Sequence, residues 1–145
     1  MKEIIGDLWD FHAQGHYICI TTNGAIRRDG ACVMGRGIAK QVAQKFPGFP
    51  IEVGNHIKRS GNTPGIFQEH RLISFPVKHH WSEVADLELI ERSARMLQMG
   101  IRTAEIGHVY LPRPGCGNGH LQWSEVWPVV ASILDDRFTV VEIAP

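Results

Sequence analysis

The sequence predicts an α/β fold in which a mixed or parallel sheet lies between layers of helices. Short runs rich in β-branched and aromatic residues alternate with segments whose apolar residues recur at helical spacing. Gly- and Asn-rich turns follow several of the predicted strands. This alternation is typical of strand–helix–strand units. Because 145 residues suit one domain, we expect a single domain that spans residues 1–145.

The first third of the chain contains one predicted strand and one predicted helix. Residues 16–22, HYICITT, are β-prone and end at an Asn-Gly turn, which predicts a strand. Residues 34–46 place apolar side chains four positions apart and stop at Pro47, which predicts a helix. The Gly- and Pro-rich segment 46–65 predicts a surface excursion that holds a short helix near 51–59.

The middle of the chain repeats the alternation. The apolar run RLISF at 71–75 predicts a second strand that ends at Pro76. Residues 86–100 carry an apolar face at helical spacing, which predicts a helix. Asp86 is suited to its N-cap, and Gly100 to the position just past its end.

The last third of the chain completes the predicted sheet. Residues 106–112 predict a third strand, residues 124–134 a helix and residues 138–143 a final strand. Pro128 is compatible with the helix because we expect it in the first turn, where no backbone hydrogen bond is lost.

Composition excludes several classes of protein. The net charge is zero, so we do not expect general binding to nucleic-acid phosphates; a nucleic acid would have to be recognised at one nucleotide or one modification. The three cysteines are far apart and the histidines lack ligand spacing, so we expect neither disulfides nor a metal site. No apolar stretch suits a signal peptide or a membrane span, and we expect a cytoplasmic protein.

Three segments that follow predicted strands are candidates for chemistry, because ligands bind beyond the carboxyl ends of strands in such sheets. The glycine-rich loops in 21–40 and 110–120 could hold a diphosphate between their backbone amides. Neither loop matches the dinucleotide fingerprint or the P-loop, and simple tight turns explain the glycines equally well. The third segment, FPVKHHW at 75–81, places a lysine beside two histidines and a tryptophan.

Taken together and in this order, NGAIRRDGACVMGRGIAKQVAQKFPGF, FPVKHHW and LPRPGCGNGHLQW resemble the macrodomain family, whose members bind ADP-ribose. The resemblance is strongest to the branch that includes terminal ADP-ribose protein glycohydrolase and DNA ADP-ribosyl glycohydrolase antitoxins. It implies a three-layer α/β/α fold with a central mixed sheet and no cofactor. It also implies that the ligand is ADP-ribose or an ADP-ribosylated macromolecule, either DNA or protein.

The resemblance implies a set of ligand-binding residues. Asp7 matches an aspartate that accepts a hydrogen bond from the adenine amino group; a solvated side chain or a turn former is the alternative. Asn23 matches a position near the distal ribose, or serves only the Asn-Gly turn. Cys116 packs within its loop, although the surrounding amides could lower its pKa. The full set comprises Asp7, Leu8, Thr22, Asn23, Cys32, Val33, Met34, Gly35, Gly37, Ile38, Pro114, Gly115, Cys116, Gly117, Asn118, Gly119 and His120.

Lys78 is the catalytic residue that the resemblance implies, because the related hydrolases need a lysine at the matching place. A neutral amine can attack the anomeric carbon of the distal ribose, whereas a charged one can stabilise the leaving group. We expect burial and the neighbouring His79, His80 and Trp81 to lower the pKa of Lys78. A surface lysine at a strand end remains the alternative.

One position departs from the branch that acts on protein glutamates. That branch carries an acidic residue in the second loop, where this sequence has Gly119. The run KHHW is closer to the branch that acts on thymidine in DNA, and a DNA substrate is therefore favoured. If a general acid is required, His80 is the first candidate, followed by His120 and Asp29.

Two other functions remain open at this stage. A module that only reads ADP-ribose would need the loops but not Lys78. A hydrolase of a small ADP-ribose derivative would need both the loops and Lys78. We expect a monomer with no membrane partner. A cognate ADP-ribosyltransferase toxin as a partner is compatible with the resemblance.

Overall fold

The computed structural model describes residues 1–143, so the last two residues of the predicted 1–145 domain lie outside the described range. Six strands form one sheet: β1 Lys2–Gly6, β2 Tyr17–Asn23, β3 Gly65–Phe67, β4 Leu72–Lys78, β5 Val109–Leu111 and β6 Phe138–Ile143. Their order is β1-β6-β5-β2-β4-β3, and every neighbouring pair is parallel except the antiparallel β3 and β4. The predicted mixed sheet is confirmed.

Five helices cover the two faces of this sheet: α1 Leu8–Ala13, α2 Gly37–Lys45, α3 Phe49–Ser60, α4 Leu87–Thr103 and α5 Trp123–Ala131. The first three helices pack on one face and α4 and α5 on the other, which gives the predicted three layers. Alternation along the strands separates the two cores, because neighbouring side chains of a strand point to opposite faces. Ile18 and Ile20 pack with α2 and α3, whereas Cys19 packs with α4.

Three short elements are not predicted by the sequence pattern. The strand β1 carries charged residues at the exposed edge of the sheet, so it lacks a regular apolar alternation. The six-residue α1 is too short for a helical period, although Asp7 caps it by accepting a hydrogen bond from Trp9 N. The three-residue β3 is defined only by its pairing with β4.

The second predicted strand continues past Pro76 and ends at Lys78, so the expectation that it stops at Pro76 was wrong. Proline is tolerated because β3 pairs with β4 only as far as Ser74, which leaves Pro76 on a free edge. The Pro76 carbonyl instead accepts a 2.8 Å hydrogen bond from the Ser93 hydroxyl on α4. Lys78 therefore belongs to the strand, whose seven residues are all buried.

Two predictions about helix ends were also wrong. The helix α4 continues through Gly100, because Ile101 in its next turn is buried in the core. Pro128 is the sixth residue of α5 and not part of its first turn. It leaves the carbonyl of the exposed Ser124 without its helical donor, and water can satisfy that group.

The parallel strands all end at one edge of the sheet, which is where ligands bind in folds of this type. At that edge the register of β2 and β4 shifts after Thr22, so that Asn23 lies opposite Lys78. Irregularities of this kind redirect side chains at functional sites. None of the helices in the described part of the chain combines the length and hydropathy that a membrane span requires.

Candidate functional site

A cavity of about 640 Å³ opens at the carboxyl edge of the sheet. Its walls come from the two predicted glycine-rich loops and from the ends of β2, β4 and β6. The lining includes many of the residues expected to bind a ligand: Leu8, Thr22, Asn23, Val33, Met34, Gly35, Gly37, Ile38, Gly115, Cys116, Gly117, Asn118 and Gly119. Lys78 lines the same cavity.

The first loop, residues 24–36, is held by the side chain of Asn23. Its Nδ2 donates to the Val33 carbonyl at 2.9 Å, and its Oδ1 accepts from Ala25 N at 2.9 Å. The amide therefore joins the start of the loop to its end. Thr22, buried beside it, lines the cavity.

The first loop ends at the N-terminus of α2, whose free amide groups border the cavity. Arg36 occupies the N-cap position and makes no side-chain capping hydrogen bond. The first amides of α2, at Gly37, Ile38 and Ala39, have no carbonyl partner within the helix, and all three residues line the cavity. The helix dipole and these donors make this end a favourable position for an anion.

The second loop, residues 112–121, supplies donors from the opposite wall. Its shape is fixed by hydrogen bonds from Leu121 N to the Gly115 carbonyl at 2.9 Å and from Ala85 N to the Gly119 carbonyl at 2.9 Å. Within residues 1–143, the backbone N–H groups of Gly115, Gly117, Asn118 and Gly119 in this loop have no protein acceptor. The loop can therefore act as an anion-binding nest.

The two loops approach each other closely. Gly37 has φ +58°, and a Cβ at this position would lie 3.3 Å from Asn118 Nδ2 in the other loop. Glycine both permits this backbone conformation and leaves room for the second loop. Two sets of free amides therefore face a common volume, which suits a group with two neighbouring phosphates.

Lys78 lies where the first loop, the second loop and β4 meet. Its side chain is only 9% exposed, and its Nζ donates to the Asn118 carbonyl at 2.9 Å and to the Trp81 carbonyl at 3.4 Å. Burial lowers the pKa of Lys78 below its usual value, and the positive charge of Arg36 lowers this pKa further. No carboxylate of the described residues forms an ion pair with it.

The histidines that follow Lys78 are not placed as the sequence suggests. His79 Nε2 lies 2.7 Å from the Asp86 carboxylate, and His80 Nδ1 lies 2.8 Å from the Ser82 hydroxyl. Both rings are exposed, and neither residue lines the cavity. The expectation that they lower the pKa of Lys78 was wrong, because burial and Arg36 are the causes. His80 as general acid loses its geometric support.

Three other predicted ligand residues lie outside the cavity wall. Asp7 is exposed and caps α1 through its Oδ1, 2.9 Å from Trp9 N. Cys32 is 1% exposed and lies in the core, where its thiol contacts the Asn23 carbonyl at 3.3 Å; its pKa is raised to about 11, chiefly by burial. Pro114 is buried behind the second loop. Cys32 therefore supports the apolar wall from behind.

Cys116 lines the cavity but is not activated by its surroundings. Burial raises the pKa of its thiol, and the opposing effect of Arg113 is smaller. The neighbouring amides therefore do not make it a reactive thiolate. This agrees with the prediction that the residue only packs.

A second, smaller cavity of about 250 Å³ adjoins the first at Lys78. The two cavities share Arg36, Lys78, Trp81 and Asn118, and His120 lines only the second. The sequence does not predict that Arg36 borders the site, since nothing local relates residue 36 to residue 78. Asp29, the remaining candidate acid, lies outside both cavities and accepts a hydrogen bond from Ala31 N at 2.9 Å.

Three comparisons place this architecture among known proteins. The sequence is 32% identical over 103 residues to the DNA ADP-ribosyl glycohydrolase of Mycobacterium tuberculosis, covering 65% of this chain and 29% of that protein. The macrodomain of Mycobacterium tuberculosis DarG superposes with a TM-score of 0.79 at 26% identity, covering 99% of this chain and 97% of that chain. No protein-family model matches the sequence.

A second similar structure is that of Thermosipho africanus DarTG in complex with ADP-ribose. It superposes with a TM-score of 0.80 at 22% identity, covering 99% of this chain and 42% of that chain, and this likeness shows the fold alone. This chain spans less than a third of the length of the curated relative from Mycobacterium tuberculosis. With its sheet order, its paired glycine loops and its likeness over nearly the whole chain to a DarG macrodomain, the protein has the macrodomain fold.

Proposed function

We propose that the protein is an ADP-ribosyl glycohydrolase, which binds ADP-ribose in the 640 Å³ cavity and releases it from an attached group. The observation that carries this proposal is the placement of Lys78. A buried amine with a lowered pKa lies at the junction of the two amide-lined loops and the second cavity. A module that only binds the nucleotide has no need of such an amine.

ADP-ribose matches the cavity in shape and charge. The diphosphate would accept hydrogen bonds from the first amides of α2 on one side and from the second loop on the other. The adenosine end would lie against Leu8 and Val141, where the lining is apolar, with the free oxygen of Asp7 as a candidate acceptor for the adenine amino group. The distal ribose would then face Asn23 and Lys78.

The proposed reaction uses Lys78 as a nucleophile. Its neutral amine forms a bond to the anomeric carbon of the distal ribose while the bond to the attached group breaks. The leaving group departs with the bonding electrons and takes a proton from an acid. The proton lost by the lysine nitrogen restores that acid. Water then attacks the same carbon while the bond to the lysine nitrogen breaks, and the proton that the water loses passes to that nitrogen, which leaves Lys78 as a neutral amine and ADP-ribose free.

His120 is better placed than His80 to be that acid. It lines the second cavity next to Lys78, where the leaving group would lie, whereas His80 lines neither cavity. An imidazole gives up a proton near neutral pH. A His120→Gln variant should therefore lose about 10²-fold or more in hydrolysis, which is the usual contribution of a general acid. His80→Gln serves as the matched control, and equal losses in both variants would contradict the assignment.

Two observations favour a DNA base as the attached group. The relative from Mycobacterium tuberculosis is described as a DNA ADP-ribosyl glycohydrolase. Position 119 also has no room for the acidic side chain that the resemblance associates with glutamate substrates, since a Cβ on Gly119 would lie 2.8 Å from Ala85 Cβ. We therefore propose thymidine in DNA as the acceptor, in preference to a protein glutamate.

The decisive experiment offers two substrates to three forms of the protein. ADP-ribosylated thymidine DNA and glutamate-ADP-ribosylated protein are incubated with the wild type, Lys78→Ala and Lys40→Ala, and free ADP-ribose is measured. Lys40 is an exposed lysine on α2 outside the cavity, so its variant controls for loss of a charge. We expect release from DNA by the wild type and Lys40→Ala, and at least a ~100-fold loss in Lys78→Ala.

Calorimetric titration with ADP-ribose completes this experiment. Lys78→Ala should bind the nucleotide with little change in affinity, since the diphosphate contacts come from backbone amides. Unchanged release of ADP-ribose by Lys78→Ala would refute the catalytic role. Tight binding without release by the wild type would mean that the protein is a reader of ADP-ribose.

A further inference from the structure

The charges of this neutral chain are unevenly distributed. Residues 23–62 hold seven of the fifteen Lys and Arg side chains but only two of the fifteen Asp and Glu side chains. The seven basic residues are Arg27, Arg28, Arg36, Lys40, Lys45, Lys58 and Arg59, and the two acidic residues are Asp29 and Glu52. A net charge of zero therefore conceals a strongly basic segment, which an argument from overall composition does not detect.

Four of these cations, here called the basic face, are exposed on a turn and on the end of the helix beside it: Arg27, Arg28, Lys58 and Arg59. Lys58 Nζ reaches the turn, since a Cβ on Gly30 would lie 3.1 Å from it. The two arginines lie at the tip of the turn between Ile26 and Cys32, which form an antiparallel bridge. The two other residues occupy the last turn of α3. The turn packs against α3, since Cys32 N donates to the Pro50 carbonyl at 2.8 Å.

The basic face has no acidic partners within residues 1–143. None of its four side chains forms an ion pair. Neither acidic residue of the segment pairs with these cations: Asp29 accepts from Ala31 N at 2.9 Å within the turn, and Glu52 lies 2.8 Å from His70. An ordinary solvated surface mixes charges of both signs. A cluster of one sign creates a local field that attracts anions.

The two segments that carry the basic face are both attached to the backbone at Lys78. Asn62, which follows α3, donates from its Nδ2 to the Lys78 carbonyl at 2.9 Å. Gly24, at the start of the loop that carries the arginines, donates to the same carbonyl at 3.2 Å. Both segments of the basic face are therefore anchored beside the residue at which an attached group would leave the cavity.

We propose that the basic face binds the phosphate backbone of a nucleic-acid strand while one modified nucleotide of that strand occupies the site. This inference rests on the glycohydrolase function proposed above for the identity of the bound nucleotide, and it adds the surface that holds the flanking strand. Four cations can contact successive phosphates without reading sequence. A nucleotide that enters a cavity must leave the base stack, which a single strand permits at least cost.

The first measurement is the binding of an unmodified single-stranded DNA oligonucleotide, followed by fluorescence anisotropy at several salt concentrations. If about four phosphates are neutralised, the slope of log affinity against log salt is about −2.8. The affinity should then fall about 50-fold between ~50 mM and ~200 mM salt. This readout requires no hydrolysis, so it tests the basic face independently of the catalytic proposal.

Paired variants identify the surface. Arg27→Gln/Arg28→Gln and Lys58→Gln/Arg59→Gln should each reduce the slope to about −1.4, because each pair removes two phosphate contacts. The matched control, Arg92→Gln/Arg102→Gln, removes two exposed cations from α4 on the opposite face of the sheet and should keep the wild-type slope. Titration with ADP-ribose should give the wild-type affinity in all three variants, which also shows that they are folded.

The outcomes separate the two proposals. Failure of the wild type to release ADP-ribose would overturn the proposed function. The oligonucleotide measurements would still show whether the basic face binds a nucleic-acid strand. Unchanged oligonucleotide binding in both variant pairs, or an equal loss in the control, would overturn the inference. Stronger binding of a polyglutamate peptide than of the oligonucleotide would overturn it as well, since the surface would then suit an acidic protein.

Discussion

Gly117 and Gly119 lie two residues apart in the second loop and line the same cavity, yet the structure predicts opposite responses to alanine. A Cβ on Gly119 would lie 2.7 Å from the Gly115 carbonyl carbon and 2.8 Å from Ala85 Cβ. Neither neighbour is the flexible end of a side chain, so the backbone of the loop has to move. A Cβ on Gly117 would meet no atom within 4 Å.

The size of the effect follows from two contributions. Overpacking against rigid neighbours costs about 1–3 kcal/mol. The movement also strains the hydrogen bond from Ala85 N to the Gly119 carbonyl, now 2.9 Å long, which contributes about 1 kcal/mol. Gly119→Ala should therefore lower the free energy of unfolding by about 2–4 kcal/mol and the Tm by roughly 4–16 °C. Gly117→Ala should change that free energy by no more than about 0.5 kcal/mol.

Thermal unfolding followed by circular dichroism measures the loss of stability, and calorimetric titration with ADP-ribose measures the effect on ligand binding. Because the loop amides would move away from the diphosphate, Gly119→Ala should bind ADP-ribose about tenfold or more weakly, given about 1.5–3 kcal/mol for each hydrogen bond to a charged group. Gly117→Ala retains its amide and should bind as the wild type does. Equal Tm values for the two variants would refute the steric argument.

Three further perturbations test other parts of the structure. Burial and the nearby His16 lower the pKa of His108, so the folded state binds a proton there less readily than the unfolded state. The contribution of His108 to stability should therefore be full above about pH 6.5 and decline as the pH falls from there. In a series of Tm measurements against pH, His108→Gln should flatten this decline. Arg36→Gln removes one cause of the lowered pKa of Lys78, so this pKa should rise. The pH at which the hydrolysis rate increases should then move upward. An unchanged dependence of the rate on pH would exclude the neutral amine as nucleophile. Lys78→Met removes a buried cation that has no acidic partner among the described residues. Without ligand, the variant should have a free energy of unfolding about 0.5–2 kcal/mol higher than the wild type. A lower Tm would show that the lysine stabilises the fold.

Elements with a clear period could be predicted from the sequence, and those defined by a partner could not. The strand that became β2 and the helix that became α4 carry regular apolar patterns over enough residues to be recognised. In contrast, β3 has three residues and exists only through its pairing with β4. The continuation of β4 through Pro76 depends on a free edge, which is a property of the whole sheet.

The candidate site likewise combines features that the sequence predicts locally with features that only the fold brings together. Glycine-rich loops after strands are a local signal, and both predicted loops line the cavity. Arg36 carries no such signal, because its importance comes from the meeting of separate segments around Lys78. His79 and His80 show that proximity in sequence to Lys78 does not place a residue in the site. Their rings contact Asp86 and Ser82 instead.

The placement of Lys78 is difficult to explain by stability alone. A buried lysine in a structural role is normally paired with a carboxylate, because an unpaired charge is costly to bury. Here the partners of its amine are the carbonyls of Trp81 and Asn118, and the neighbour that affects its pKa is Arg36, of the same sign. Burial and Arg36 disfavour the charged form, and the amine lies beside a cavity with free amides on both walls. A lowered amine pKa beside such a cavity is what the proposed covalent reaction at the ribose of ADP-ribose would require.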